Sequence, residues 1–296
     1  QRLAEHFFRK IAYGYCIMSD MSVLVMIVSA AAIIFFVKFG LLHGIDQIAN
    51  AMSWSAKARG QVTGYATSVP ELVCLVSAGL AGVWEAGLWN IASSNIINSG
   101  LMLCAVLFYK QFGELLNIRF IDEIGFASLA VLVPIFLMHF GMDQQWYLIP
   151  ILFGFFVIYR FVDRKVNRTP PETDGDSEPQ EAATGSLPFG IILGISALIA
   201  IAIAGMFLGD ATANVVDQMG VSPEIAGWIL GVVTSIPELV SFFAIYAASK
   251  RAGKSQSLND TQEALDNLTG SNMANVSIVY PIGLAAYLLA QMFVAG

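Results

Sequence analysis

The chain has 296 residues, of which 56% are hydrophobic and only 12% charged, and its mean hydropathy is +0.68. Soluble domains carry about 25% charged residues, so this composition excludes an ordinary soluble enzyme and predicts an all-α polytopic membrane protein in contact with the lipid bilayer. The net charge of −7 and the lack of a basic cluster argue against a nucleic-acid partner. Cys16, Cys74 and Cys104 lack the spacing of a disulfide framework or a zinc site.

Eight apolar stretches are long enough to span a bilayer, at about 20 residues for each crossing. They lie at residues 22–50, 61–83, 88–109, 121–140, 146–163, 188–216, 223–248 and 265–293. Eleven Lys and Arg residues lie in or beside the loops after helices one, three, five and seven, against three near the N-terminus on the other face. Because basic residues are retained in the cytoplasm, these loops are predicted to be cytoplasmic and both termini to lie outside.

The sequence also predicts that the chain is divided into four regions. Residues 1–20 are predicted to form an interfacial amphipathic segment, because basic and aromatic side chains alternate there. Residues 21–166 form the first transmembrane half and residues 188–296 the second. Between them, residues 167–187 are acidic and rich in Pro, Ser and Gly, which is typical of a flexible linker. This linker is predicted to be cytoplasmic.

The two halves repeat each other. The segment GYATSVPELV at residues 64–73 recurs as GVVTSIPELV at residues 231–240, and NIASSNIIN at residues 90–98 matches NLTGSNMAN at residues 267–275. Corresponding helices are five apart in the chain. Because five is odd, the second copy crosses the membrane in the opposite direction, which predicts an inverted-topology repeat of the kind found in many secondary transporters.

Each repeat carries one acid in the apolar part of a helix. Glu71 and Glu238 are predicted to be the only acids at such depth, where an ionised group costs several kcal/mol unless it is compensated. Neither has an obvious basic partner in the sequence, so protons or metal ions are expected to neutralise them. Four other acids lie near helix ends, where capping or solvation suffices: Asp46, Asp210, Asp217 and Asp266.

The neighbouring residues supply oxygen atoms, of which Ca²⁺ takes six to eight. Hydroxyl groups lie within one turn of each carboxylate, at Thr67, Ser68, Thr234 and Ser235. Pro70 and Pro237 lack the N–H that a helix requires, so they are expected to free backbone carbonyls in a site where irregular backbone is tolerated. The following helices carry polar side chains spaced by four, which form one stripe on each helix: Asn90, Ser94 and Asn98, then Asn267, Ser271 and Asn275.

The TSVPEL and TSIPEL segments, each followed by an N-x-x-x-S-N-x-x-N helix, resemble the two alpha-repeats of the cation/calcium exchanger (CaCA) superfamily, and in particular sodium/calcium exchangers. The resemblance covers about residues 40–107 and 205–289. It implies ions that bind transiently at the centre of four helices and exchange by alternating access, with no catalytic residue and no cofactor. The ion ligands that it implies are Glu71, Glu238, Thr67, Ser68, Thr234, Ser235, Ser94, Asn98, Ser271 and Asn275, with backbone carbonyls near Gly64 and Gly231.

The chain departs from the family pattern in two ways. Asn275 stands where many sodium/calcium exchangers carry Asp, so the two glutamates give the site a formal charge of −2, which matches one divalent ion or two protons. The family usually has ten helices, whereas eight are predicted here. Either two C-terminal helices are missing from this sequence or the scaffold is reduced.

The predicted function is export of Ca²⁺ in exchange for Na⁺ by an integral protein of the plasma (inner) membrane. A Ca²⁺/H⁺ antiporter is the first alternative, and an exchanger of Mg²⁺ or Mn²⁺ is another. A cation channel that uses the same ligands is a further alternative. An enzyme is the least favoured class, because the predicted spans contain no Ser–His or Cys–His pairing.

Overall fold

The computed structural model describes residues 21–54, 56–166, 185–251 and 258–295. Within these ranges all regular secondary structure is helical, as the composition predicts. The predicted interfacial segment at residues 1–20 and residues 167–184 of the predicted linker lie outside the described residues. The division of the chain into two halves joined by a linker therefore stays a prediction.

Eight helical segments follow one another in the predicted order. Two of them, α2 and α7, are broken in the middle, and α8 contains a π-helical turn that separates its two parts. The helices are α1 (Met21–Ala51), α2a (Ala56–Thr67), α2b (Val69–Leu80), α3 (Trp84–Phe108), α4 (Ile121–His139), α5 (Leu148–Val166), α6 (Leu187–Met219), α7a (Pro223–Thr234), α7b (Ile236–Arg251), α8a (Leu258–Ala274) and α8b (Tyr280–Ala295). A short helix at Phe112–Leu115 and a 3-10 turn at Ile118–Phe120 connect α3 to α4.

Six of the described segments are long and apolar enough to cross a membrane. They are Met21–Ala51, Trp84–Phe108, Ile118–His139, Leu187–Met219, Pro223–Ala247 and Asp260–Phe293. The other two, α2 and α5, contain no stretch of the same length that is equally apolar. Large apolar side chains such as Phe35, Ile192 and Phe207 are more than half exposed on the outside of the bundle. Lipid tails are as apolar as these side chains, so such a surface is stable in a bilayer.

Both repeats contain the same helix break. The backbone leaves α-helical geometry at Ser68 (φ −83°, ψ −1°) and at Ser235 (φ −82°, ψ 0°). In each case a proline follows two residues later, at Pro70 and Pro237. Proline removes one helical hydrogen bond and disfavours helical dihedrals in the residue before it. The prolines therefore interrupt both helices where the sequence predicts irregular backbone.

The two repeats exchange packing partners. Helix α2a lies along α8a, and α7a lies along α3. A Cβ atom added to Gly64 would stand 2.8 Å from the backbone nitrogen of Ser271, and one added to Gly231 would stand 3.0 Å from that of Ser94. Each broken helix of one repeat thus contacts the polar stripe of the other repeat at backbone distance. Two related copies around a pseudo-twofold axis produce this arrangement.

Helices α1 and α6 pack closely against each other, and α6 also packs against α2b. A Cβ atom at Gly44 would lie 2.8 Å from the carbonyl oxygen of Gly190. A Cβ atom at Gly205 would overlap the side chain of Val73, and one at Gly209 would overlap Ser77. The glycines of α1 and α6 therefore permit these close helix contacts.

Gly205→Val is expected to lower the melting temperature of the purified protein, because the new side chain would overlap Val73. Overpacking of this kind typically costs about 1–3 kcal/mol. The matched control is Gly194→Val on the same helix, since a Cβ at Gly194 meets no heavy atom within 4 Å. Thermal unfolding in detergent measures both variants, and equal melting temperatures would contradict the proposed contact.

Candidate cation site

Glu71 and Glu238 lie in the first turns of α2b and α7b, directly after the helix breaks. Both side chains are fully buried. Among the described residues, no Lys, Arg or His nitrogen lies within 4.0 Å of either carboxylate. The N-terminus of a helix stabilises negative charge only partly. A further positive charge is therefore needed to offset the cost of two ionised carboxylates at this depth.

Glu71 is contacted by residues from two other helices, α3 and α7. The hydroxyl of Ser94, on α3, donates a hydrogen bond of 2.6 Å to Oε1 of Glu71. Ser94 also shares a hydrogen bond of 3.1 Å with the hydroxyl of Ser235, at the break in α7. The hydroxyl of Thr234 donates to Oδ1 of Asn90 at 3.2 Å and interacts with Glu71 as well. One carboxylate of the first repeat is thus held beside the broken helix of the second.

Glu238 has the corresponding environment. The hydroxyl of Ser271, on α8a, donates to Oε1 of Glu238 at 2.9 Å. Ser271 also lies 3.2 Å from the hydroxyl of Ser68, at the break in α2. The hydroxyl of Thr67, at the end of α2a in the first repeat, also interacts with Glu238 of the second repeat. The site is therefore built twice from equivalent residues, and each copy draws on both halves of the chain.

Four buried oxygen atoms at this centre have no hydrogen-bond donor among the described residues. They are Oε2 of Glu71, Oε2 of Glu238, Oδ1 of Asn98 and Oδ1 of Asn275. Buried polar atoms are nearly always hydrogen-bonded, so an unpartnered group needs an explanation. Carboxylate and amide oxygens are ligands of hard cations such as Ca²⁺. These oxygen atoms therefore fit a bound cation, which would satisfy acceptors that no group in the described part of the chain satisfies.

An amide network fixes the orientation of Asn275. The side chain of Asn95 donates to the carbonyl of Ala130 at 2.9 Å and accepts a hydrogen bond of 2.9 Å from Nδ2 of Asn275. Nδ2 of Asn272 donates to the backbone carbonyl of Asn95 at 3.2 Å. Because Asn275 uses its nitrogen in this network, its oxygen is the atom left without a partner. Sequence reasoning did not assign a role to Asn95 or Asn272, although the repeated Ser-Asn pair was a usable signal.

The predicted glycine carbonyls already have donors. The carbonyl of Gly64 accepts hydrogen bonds of 3.1 Å from the hydroxyls of both Thr67 and Ser68. The carbonyl of Gly231 accepts the backbone N–H of Ser235 at 3.1 Å. The structure thus gathers the predicted glutamate, serine and asparagine side chains around one centre. The carbonyls of Gly64 and Gly231, in contrast, accept hydrogen bonds from residues of their own helix or helix break.

The expectation for Asp266 is wrong. This residue is fully buried, not capped or solvated at a helix end, and Glu123 and Asp163 are each only 2% exposed. Glu71 and Glu238 are therefore not the only buried acids among the described residues. Helix α8a packs against α2a and α4 at this position, and the position of a residue near a helix end does not reveal such neighbours. The other three acids of that set are exposed: Asp46, Asp210 and Asp217.

Comparison with known families identifies the class of protein. The family model described as "Sodium/calcium exchanger protein" matches residues 21–162 and 189–292, which together make up most of the chain. The chain belongs to this family. It is an integral, multi-pass cation/calcium antiporter and not an enzyme.

Solved structures of the sodium-calcium exchanger NCX_Mj are also similar. The structure soaked with 100 mM Na⁺ and 10 mM Sr²⁺ is 21% identical, with 93% of this chain and 90% of that chain covered and a TM-score of 0.49. The structure soaked with 2.5 mM Na⁺ and 0.1 mM Ca²⁺ is 21% identical, with 94% and 89% covered and a TM-score of 0.46. No curated protein sequence matches the chain. The family assignment rests on the sequence match.

Asn95→Ala is expected to destabilise the protein by about 1–3 kcal/mol, because the substitution leaves the buried amide of Asn275 and the carbonyl of Ala130 without partners. Ca²⁺ affinity should fall with stability, since Asn275 is no longer oriented. Ser128→Ala is the control, because this exposed hydroxyl bonds only to the carbonyl of Ile124 on its own helix. Thermal unfolding and calorimetric Ca²⁺ titration measure the two effects, and unchanged binding in Asn95→Ala would contradict the orienting role.

Proposed function

We propose that the chain exports Ca²⁺ in exchange for Na⁺ by alternating access. The observation that carries this proposal is a group of four oxygens, two of them from Glu71 and Glu238, that have no hydrogen-bond partner among the described residues. In the proposed site the two glutamates are the central ligands and the hydroxyls and amides complete the shell. The proposed ligands are Glu71, Glu238, Thr67, Ser68, Thr234, Ser235, Ser94, Ser271, Asn98 and Asn275, with backbone carbonyls near Gly64 and Gly231 beside them.

Coupling follows from the charge of this site. Closing the protein around two bare carboxylates is costly, because their charge loses hydration without gaining a partner. Binding of one Ca²⁺ or of sodium ions removes that charge. Loaded states can therefore pass through a closed conformation and the empty state cannot, so net movement of one ion requires return of the other.

The family match supports Na⁺ as the coupling ion, since the family is described by sodium/calcium exchange. A Ca²⁺/H⁺ antiporter is the second candidate. The amide of Asn275 adds no charge, so the formal charge of −2 is balanced by one Ca²⁺ or by two protons. Glu71→Gln and Glu238→Gln alone do not distinguish a Ca²⁺/Na⁺ exchanger from a Ca²⁺/H⁺ exchanger. The coupling ion is therefore tested by the gradient that is imposed.

The charge distribution in the sequence supports the proposed orientation. The basic residues gather at the loops after odd-numbered helices, and these include Arg160, Arg164 and Lys165 near the end of α5. We therefore place these loops and the linker in the cytoplasm, the termini of the chain outside, and the protein in the plasma membrane. Under an inward Na⁺ gradient this antiporter moves Ca²⁺ outward.

Uptake of ⁴⁵Ca²⁺ into proteoliposomes loaded with Na⁺ tests the proposed exchange. Uptake should require internal Na⁺, should be absent with internal K⁺, and should be lost in Glu71→Gln and in Glu238→Gln, because each change removes a central ligand. Glu85→Gln and Glu224→Gln carry the same chemical change at exposed positions and should transport as the unmodified chain does.

Uptake driven by an imposed pH gradient in the absence of Na⁺ would replace the sodium proposal by the proton one. Passage of Ca²⁺ without any counter-ion, at rates beyond those of carriers, would indicate a channel. Full transport by both Glu71→Gln and Glu238→Gln would contradict the proposal that these two residues are the central ion ligands.

Alternating access requires that part of the protein moves, and we propose that α1 and α6 move together as this part. Their glycines allow the two helices to contact each other and α2b at backbone distance, which permits sliding without interlocked side chains. At one end, the guanidinium of Arg59 on α2a donates to Oδ1 of Asn50 on α1 at 2.8 Å. At the junction of α1 and α6, the backbone N–H of Ser186 donates to Oε1 of Gln47 at 3.2 Å.

A reducible bifunctional thiol crosslinker should distinguish these two contacts. In a background without native cysteines, linking Asn50→Cys to Arg59→Cys is expected to stop transport until the link is reduced, because α1 is tied to α2a. Linking Gln47→Cys to Ser186→Cys should leave transport intact, because α1 and α6 move together. Unimpaired ⁴⁵Ca²⁺ uptake in the first crosslinked pair would exclude sliding of α1 past α2.

A further inference from the structure

A polar cavity of about 220 Å³ lies where the ends of α3 and α7b meet the start of α8a. Its lining includes Lys110, Lys250 and Asp260. Of the apolar spans beside it, one ends at Phe108, one ends at Ala247 and one begins at Asp260. The cavity therefore lies at the edge of the membrane-spanning region, at the depth of the phospholipid headgroups. None of its lining residues is a proposed ligand of the central site.

The charged groups of this cavity lack close partners in the described part of the chain. Neither the ammonium group of Lys110 nor that of Lys250 lies within 4.0 Å of a described carboxylate. Oδ2 of Asp260 is buried and has no hydrogen-bond partner among the described residues. Buried polar atoms nearly always have such a partner. The cavity thus offers two positive groups and, separately, one acceptor that requires a donor.

The backbone of Lys110 adopts a conformation that disfavours a side chain. Its φ of 60° lies in the left-handed region, where Cβ comes too close to the following carbonyl oxygen. The N–H of Lys110 donates to the carbonyl of Leu107 at 3.1 Å, and that of Gln111 donates to Val106 at 2.8 Å. Glycine is usual at this position of a helix end. Because such strain is concentrated at ligand-binding sites, a lysine here indicates a use for its side chain.

Aromatic and apolar side chains complete the surroundings of the cavity. Tyr109 and Tyr246 line it with stacked rings, whose centroids lie 5.4 Å apart. The face of an aromatic ring attracts an ammonium group. Phe108 also lines the cavity, and it is exposed together with Leu107 and Leu103 on the same helix. An apolar surface suited to acyl chains therefore runs from the cavity along α3 into the membrane-spanning region.

We propose that this cavity binds the headgroup of a zwitterionic aminophospholipid, which carries a phosphate and a primary ammonium group. The phosphate accepts hydrogen bonds from Lys110 and Lys250. The ammonium group donates to Oδ2 of Asp260 and lies against the tyrosine rings, and the acyl chains follow the exposed face of α3. An anionic lipid without an amine would leave Asp260 without a donor. The site therefore distinguishes an aminophospholipid from an anionic phospholipid.

Native mass spectrometry of the full chain in detergent measures this binding without a transport assay. The probes are phosphatidylethanolamine and phosphatidylglycerol with identical acyl chains. The unmodified chain should hold one phosphatidylethanolamine about tenfold more tightly than phosphatidylglycerol, because only the former gives Asp260 a donor. Lys110→Gln and Lys250→Gln should each weaken phosphatidylethanolamine binding by about tenfold, and Asp260→Asn should remove the preference between the two lipids. Lys165→Gln, at an exposed position at the end of α5, is the matched control and should leave binding unchanged.

Lys110→Gly separates the loss of a ligand group from a folding defect. Glycine adopts a positive φ readily, so this variant should bind phosphatidylethanolamine more weakly while its melting temperature is unchanged or higher. Equal affinity of the unmodified chain for both lipids, or tighter binding of phosphatidylglycerol, would overturn the proposal. Unchanged phosphatidylethanolamine binding in the lysine variants, or an equal loss in Lys165→Gln, would overturn it as well. Each of these results leaves the central cation site and its transport assay unaffected.

Discussion

The main physical constraint on this structure is the cost of placing two carboxylates in the middle of a membrane bundle, where no described residue gives them a basic neighbour. Glu71 and Glu238 each satisfy one oxygen through a serine hydroxyl, and the other oxygen has no donor. A lysine or arginine in contact would remove this cost permanently and would remove the need for an ion as well. The described neighbours are instead neutral hydroxyl and amide donors, and in the proposed mechanism the charge is compensated by a cation that can leave again.

The repeat explains why the scaffold has its particular breaks and close contacts. Each half supplies one glutamate, one break and one polar stripe, but the stripe that serves a glutamate lies within reach of the broken helix of the other half. Gly64 and Gly231 allow that approach, since any side chain there would meet the backbone of the opposing stripe. Neither half can complete a ligand shell alone, so the site exists only at the pseudo-twofold interface. The proposed sliding of α1 and α6, one helix from each half, would act on this shared site.

Sequence reasoning predicted the features that occur twice or that follow from local chemistry. Pro70 and Pro237 predict the irregular backbone, and duplicated glutamate, serine and asparagine residues predict a shared centre. The π-helical turn at Asn275–Val279 was not predicted. It has no counterpart among the described residues of α3, and Pro281, which follows it by two residues, was not recognised as a signal for it. The role of Asn95 and the burial of Asp266 also depend on which helix lies opposite, and the sequence of one helix does not contain that information.

Departures from the repeat give the two ends of the bundle different properties. Asn275 is fixed by a 2.9 Å hydrogen bond from its nitrogen to Asn95, whereas the nitrogen of Asn98 makes only contacts of 3.4 to 3.5 Å. At the outer end of each stripe, Asp266 of α8a packs beside Gly60, while Trp89 packs beside Gly227 in the equivalent contact. Because the repeats are inverted, these ends lie toward opposite membrane faces. A scaffold built from equivalent halves thus places a buried carboxylate toward one membrane face and an aromatic side chain toward the other.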